Sequence, residues 1–318
     1  MVEFLETAEE EEKSPFEQYY LSEIVPTVEE NNKIKDRYRS KFWGYFWSIL
    51  FLMCTNLLVI FFNFLLYDHP INYEQLALVN IIAFMLIFYP IYQYYRAPRK
   101  NAFETFIAYY GNWKHLKNSD VRLVHSPVIP PHDYVCAKHN VVAEYEDWSM
   151  ELRDTIYQNF GVMKNIHYKR TVSSGIICLV EFKRKYKGKI LLFEKRGFYR
   201  KSSFPGLQNV GSGITSPVAE SFHIFSDDAD FAERMLPALF FERVLDLKDA
   251  FGAKRLYVEM QESTMRLYFE GAQLYFDNDT FWSSKINKNK FIQLNDCIEQ
   301  TLLFIETMRT LWEQYGRH

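Results

Sequence analysis

The residues able to do chemistry are few and scattered. His132-Asp-Tyr-Val-Cys136-Ala-Lys-His139 places two imidazoles, a carboxylate and a thiol within eight residues. A zinc ion needs three or four ligands, with further groups behind them to orient the imidazoles. No second cluster of matching spacing follows, so the stretch reads as a loop-to-strand passage with incidental ligands. Four cysteines, Cys54, Cys136, Cys178 and Cys297, form no C-x-x-C pair. In a body facing the cytoplasm they are expected reduced and mostly buried, and no local signature couples one to a histidine. Gly206-Leu-Gln-Asn-Val-Gly211-Ser-Gly213 has the glycines of a phosphate loop but lacks the Lys-Ser/Thr ending and a following helix. Asp227, Asp228 and Asp230 suit the start of a helix better than a metal. The sequence thus assigns no catalytic residue, metal or cofactor.

The one charge feature above background is basic. Lys183, Arg184, Lys185, Lys187 and Lys189 continue into Lys195, Arg196, Arg200 and Lys201, nine positive groups in nineteen residues against one Glu. Three readings compete. Lysines at a solvated hairpin tip protect a sheet edge from aggregation. On a tethered domain they rest on anionic inner-leaflet lipid, at about 1 kcal/mol per basic group near the surface. Interleaved aromatics also fit nucleic acid, the least favoured of the three.

These groups hang from an anchor. Residues 42–67 and 76–95 are two apolar runs, and no Lys or Arg occurs anywhere from Phe42 to Tyr95. About 20 apolar residues cross a bilayer core about 30 Å thick. Both runs reach that length, and the polar link between them, with Pro70, makes a transmembrane hairpin of helices. Lys33, Lys35, Arg37, Arg39 and Lys41 precede it, and Arg96, Arg99 and Lys100 follow it. Positive residues stay inside, so both termini are expected to be cytoplasmic and the protein a multi-pass one of the inner (plasma) membrane. Trp43, Tyr45, Trp47, Tyr92, Tyr94 and Tyr95 form an interfacial belt. Asn56, Asn63 and Asn80 lie inside the hairpin, with Asn63 and Asn80 at similar depth. They are expected to hydrogen-bond across it, at about 0.6 kcal/mol and up to about 2. The runs hold no Asp, Glu, Lys or Arg, which argues against a proton or ion pathway.

Around the anchor, residues 1–26 read as an acidic, largely disordered tail, residues 27–95 as a lead-in helix plus hairpin, and residues 96–318 as a cytoplasmic α+β domain. Net charge is −3, but the first 32 residues carry ten Glu against one Lys. A short helix is conceivable after Phe16. Thr27 with Glu30 forms a capping-box pattern, starting the lead-in helix at Val28. Pro98 opens a helix whose apolar face is Phe103, Phe106, Ile107, Tyr110 and Trp113. Residues 141–160 look helical and acidic. Ile176–Val180 and Ile190–Phe193 are strands joined as a hairpin at Gly188, and 218–225 is another strand. A helix starts at 226–228, meets Pro237 and ends at Gly252. Strands follow around Leu256–Met260, Met265–Phe269 and Leu274–Phe276. A final helix carries the stripe Ile298, Leu302, Ile305, Met308 and Trp312. Helices segregated from strands argue α+β with a mainly antiparallel sheet and flanking helices.

Three stretches resemble one family. They are Tyr20-Leu-Ser-Glu-Ile-Val-Pro26 ahead of the hairpin, Phe182 through Lys187-Gly-Lys-Ile-Leu-Leu-Phe193, and Val218-Ala-Glu-Ser-Phe222 with Phe225-Ser-Asp-Asp228, Leu236-Pro237 and residues 241–247. Together, from about residue 16 onward, they resemble the bacterial domain-of-unknown-function 3137 family. The resemblance implies a membrane hairpin with a cytoplasmic body and brings no activity. The functional expectation is a membrane-tethered scaffold, sensor or regulatory interaction module. Its partners are the bilayer and an unidentified protein or a second copy. The alternative is a membrane-anchored enzyme with a site assembled from distant residues, beginning at His132, Cys136 and His139.

Overall fold

The computed structural model describes residues 14–66, 73–116, 126–163, 166–185, 187–195, 204–214, 216–274 and 280–315. The chain divides into two compact units: Met1–Tyr109 with Asp277–Lys288, and Tyr110–Phe276 with Asn289–His318. The first unit thus takes in residues 277–288 from late in the chain.

In the first unit, α1 (Pro15–Tyr19) passes through a π turn (Tyr20–Ile24) into α2 (Val25–Leu66). Of the tail expected to be largely disordered, residues 15–26 are helical, and the Ser14 side chain accepts from the Glu17 N–H at the start. Residues 1–13 lie outside the described residues. Phe16, Tyr20 and Ile24 are buried, which is what orders this segment. The cap expected at Thr27 does not form. The widened π turn precedes Pro26, where an α-helix would lose a donor and clash with the preceding turn, and the helix continues through it.

Two further helices, α3 (Tyr73–Ile87) and α4 (Tyr89–Arg96), take the second apolar run, which breaks at Phe88. Pro90 sits in the first turn of α4, where its missing N–H is harmless. Phe42, Ile49, Ala83, Ile87 and Tyr94 pack between α2 and the α3–α4 run. The last helix of this unit, α5 (Ala102–Ala108), starts at the Asn101 cap and not at Pro98. Its buried face is Phe103, Phe106 and Ile107; Phe106 meets Phe16, and the Tyr19 hydroxyl donates to the Thr105 carbonyl. Tyr110 and Trp113 fall in the other unit.

The second unit is one nine-stranded antiparallel sheet in the order β1-β2-β3-β4-β9-β8-β5-β7-β6. Its strands are β1 (Trp113–Leu116), β2 (Tyr134–Glu144), β3 (Trp148–Met163), β4 (Ile166–Phe182), β5 (Lys189–Glu194), β6 (Gln208–Asn209), β7 (Phe222–Ser226), β8 (Arg255–Gln261) and β9 (Thr264–Glu270). The helices are α6 (Ala229–Met235), α7 (Ala238–Ala250) and α8 (Asn289–Tyr315). The acidic helix expected over 141–160 is absent, because β2 and β3 occupy it. Trp148, Met150 and Leu152 alternate inward while Glu151 and Arg153 take the other positions, a period of two. The expected β4–β5 hairpin is also overturned. The β8–β9 hairpin, closed by Glu262 at φ +54°, inserts between them, so β4 pairs with β9 and β5 with β8. The strand expected at 218–225 begins only at Phe222, after a 3-10 turn, and Leu274 lies in no strand; Phe276 is outside the described residues.

Both faces of the sheet are covered. Helices α6 to α8 pack on one, with Trp312 on Phe182, Phe251 on Phe269 and Phe241 on Phe222. The other is covered by residues 126–131 and 204–207, which bring Val128, Ile129 and Phe204 onto Leu191, Phe193, Tyr257 and Tyr268. Double coverage is why Ile190–Phe193 is a continuous apolar run. Asp228 caps α6 by accepting from the Phe231 N–H at 3.0 Å, Pro237 separates α6 from α7, and Gly252 (φ +60°) ends α7 in the left-handed region.

Candidate functional site

The described residues offer four features with functional content. The first is the apolar hairpin. Only 6% of the most apolar stretch in the first long helix and 17% in the second is buried within the protein. Phe51 is 76% exposed and Met85 67%. A contiguous apolar surface of this extent marks an interaction site, and both helices are long and apolar enough to cross a bilayer. Inside it, the Asn56 amide donates to the Asn80 side-chain oxygen at 2.9 Å. Counting depth alone set Asn63 against Asn80; Asn56 stands two turns nearer the N-terminal end of α2.

The second is a strap on α2. Glu29, Asn32, Asp36 and Arg39 recur at three and four and, with Lys35, line one face. That face binds residues 280–288. Lys35 is fully buried, and its Nζ donates to Ser283 Oγ (2.9 Å), the Ser284 carbonyl (3.2 Å) and the Ser283 carbonyl (3.4 Å). Arg39 donates to the carbonyls of Phe281 (2.8 Å) and Ser283. Asn32 exchanges two hydrogen bonds with the Ile286 backbone, and Lys285 and Lys288 pair with Asp36 and Glu29. Two of the five cations that preceded the first apolar run thus bind backbone, while Lys33, Arg37 and Lys41 remain exposed.

The third is the basic connection between β4 and β5. Lys183, Arg184, Lys185 and Lys187 are exposed, whereas Lys189 turns back to Glu259 (3.2 Å) and Gln261 (3.0 Å). Glu259 is buried and also accepts from Arg266 (2.7 Å) and Ser126 Oγ (2.6 Å). It is a structural ion pair inside the sheet. Tyr186 and residues 196–201, with the remaining Arg and Lys of the stretch, lie outside the described residues.

The fourth is a β arm. Pairing of β2 with β3 ends at Gln158 and that of β4 with β9 at Gly175, yet β3 and β4 stay paired to Met163 and Ile166. Beyond those ends neither strand has a further strand partner among the described residues, although the Gly271 N–H donates to the Ser174 carbonyl and the Phe160 N–H to the Asp133 carboxylate. Phe160, Val162, Tyr168 and Val172 are exposed along them, and the Lys169 ammonium sits 4.4 Å over the Tyr134 ring. A two-stranded ribbon with open edges is marginal by itself and is a ready template for pairing.

The residues weighed for chemistry do not converge. His132 Nδ1 contacts the Pro130 carbonyl at 2.8 Å and its ring lies against Tyr157. Cys136 is half-buried in β2, and the side chain of His139 is outside the described ones. Burial pushes the Cys178 thiol up and raises that of Cys297 to about 12, with Asp296 adding to the shift, so neither is a thiolate at neutral pH. Burial likewise raises Tyr157 to about 12. Asp227 accepts from the Lys189 N–H and Asp228 is the α6 cap, so both carboxylates are occupied structurally. The 206–213 stretch forms β6 and a 3-10 turn. The strap and the arm were not read from the sequence; the three-and-four spacing of polar residues ahead of the membrane is the trace the strap leaves there.

Comparison with known proteins is sparse. No curated protein matches the chain. A solved structure, the crystal structure of the mycobacterial trehalose monomycolate transport factor A, TtfA, shows 12% identity over 46% of this chain and 74% of that one. Its TM-score is 0.24, too low to carry an argument. Residues 171–310 match the family described as "Protein of unknown function (DUF3137)". The match takes in two of the three stretches that carried the resemblance, those of residues 182–193 and 218–247, and leaves out the one ahead of the hairpin. Over residues 171–310 the chain is thus similar to the DUF3137 family, and the whole is a membrane-associated protein with an apolar two-helix hairpin and an α+β domain.

Proposed function

We propose that the chain is a multi-pass protein of the inner (plasma) membrane, with both termini in the cytoplasm and the short link around Pro70 outside. The sheet unit then works at the inner face as a scaffold, sensor or regulatory interaction module. The observation that carries the reading is the charge asymmetry around an exposed apolar hairpin: cations flank both outer ends of the two runs and none occurs between Phe42 and Tyr95. The Asn56–Asn80 bond supports packing of the two spans. The exposed arm supports an interaction role, with a protein or a second copy as partner. Cys178 and Cys297, held as thiols, lend nothing to an enzymatic reading.

Within this reading Lys183, Arg184, Lys185 and Lys187 rest on anionic inner-leaflet lipid, with Lys189 serving the sheet. Hydrogen exchange of the full chain in vesicles tests the contact. Backbone amides of residues 183–187 are expected to exchange more slowly in vesicles containing phosphatidylglycerol than in pure phosphatidylcholine, and high salt should remove the difference. Equal exchange in both lipids contradicts it.

A further inference from the structure

Trp282 is 59% exposed, although the residue before it is fully buried. The Phe281 ring lies 5.8 Å from Phe42 and 5.4 Å from Tyr94, and the Phe281 N–H donates to the Tyr95 hydroxyl. Phe42 opens the uncharged stretch of α2, and Tyr94 and Tyr95 close that of α4. The strap therefore touches both apolar helices at their non-loop ends, at one level. Trp282 stands edge-on to Phe42 at 5.0 Å. Exposed with it at these two ends are Trp43, Tyr92 and Tyr95.

An indole couples a large apolar body to one N–H donor. It is poorly placed in bulk water and favoured where an apolar layer meets a wet one. Here its position is fixed. Buried Lys35 and half-buried Arg39 hold the backbone on either side of Trp282 by bonds to Phe281, Ser283 and Ser284. A rigidly held, exposed tryptophan continuous with a lipid-facing surface has a natural occupant in the same lipid.

We propose that the strap is a third membrane attachment, with the Trp282 indole seated in the headgroup zone of the leaflet that holds the positive ends of the hairpin. The proposal rests on the membrane reading above. In sequence, the chain then meets the bilayer twice around the sheet unit: before Tyr110, and again just ahead of α8.

Photocrosslinking of the full chain in phosphatidylcholine–phosphatidylglycerol vesicles tests this. Benzoylphenylalanine replaces Trp282, Trp43 in the hairpin, or exposed Glu23, which lies about 28 Å before Phe42 along the same helical run at 1.5 Å per residue, and adducts are read by mass spectrometry. Lipid adducts at position 282 in a yield comparable to position 43, with none at 23, are expected. Lipid adducts at 43 with only water or protein adducts at 282 overturn the third attachment and leave the hairpin standing. Absence of lipid adducts at 43 overturns the membrane reading itself. Because position 282 is exposed and aromatic for aromatic is exchanged, the fold is retained.

Discussion

Lys35→Met is expected to destabilise the first unit by about 3 kcal/mol and to release residues 280–288. Methionine keeps the apolar stem but removes the ammonium that supplies three hydrogen bonds. The Ser284 carbonyl and the Ser283 hydroxyl are left beside a side chain that cannot donate, while the Ser283 carbonyl keeps Arg39; each unsatisfied buried acceptor costs about 1–3 kcal/mol. Lys285→Ala is the control. Its ion pair with Asp36 is about half exposed on both sides and contributes at most about 1 kcal/mol. Hydrogen exchange of residues 280–288 in detergent micelles reads both. Fast exchange in Lys35→Met with near-parental exchange in Lys285→Ala is the expected pattern; two equal, small effects contradict a structural role for Lys35.

Gly175→Val is expected to cost the second unit about 3 kcal/mol or to prevent its folding. A Cβ at this position would lie 2.3 Å from the Phe269 carbonyl oxygen and 2.8 Å from a carbon of the Tyr268 ring. The clash is with backbone in the next strand, so no rotamer relieves it, and overpacking of this kind costs about 1–3 kcal/mol or more. Gly175 opens the β4–β9 pairing and its carbonyl accepts from the Thr155 hydroxyl. Gly213→Val meets open space and is the matched control. Thermal unfolding followed by circular dichroism separates the two: a large loss of midpoint for Gly175→Val alone is expected, and parental melting of that variant contradicts the packing described.

Much of this architecture is written locally in the chain. The hairpin, the α8 stripe and the β8–β9 hairpin are legible because each depends on neighbours in sequence: uninterrupted apolarity, spacing of three and four, alternation across a short turn. What failed is nonlocal. Residues 141–160 carry the carboxylates of an acidic helix, Glu144, Glu146, Asp147, Glu151 and Asp154, whereas burial follows Trp148, Met150 and Leu152 at a period of two. The pairing of β4 with β5 looked natural from a turn at Gly188, but a hairpin formed some seventy residues later takes the place between them. Continuation of α2 through Pro26 depends on a π turn that leaves no composition signal. The partners of Lys35 lie about 250 residues away, so a lysine that serves the strap was indistinguishable from one that orients the hairpin. At the candidate site, the exposed cations of residues 183–187 are legible as a charge run, whereas the return of Lys189 to Glu259 is not, because that partner lies seventy residues on.

The central claim is the direction of the hairpin. Single cysteines introduced at residue 70 in the link, near the N-terminus and near the C-terminus are probed in intact cells with a membrane-impermeant maleimide, before and after permeabilisation. The full chain is used throughout, with native Cys54 replaced by serine. The account predicts labelling at residue 70 in intact cells and labelling at both ends only after permeabilisation. Labelling of either end in intact cells, or a residue 70 that stays protected until the membrane is opened, contradicts it.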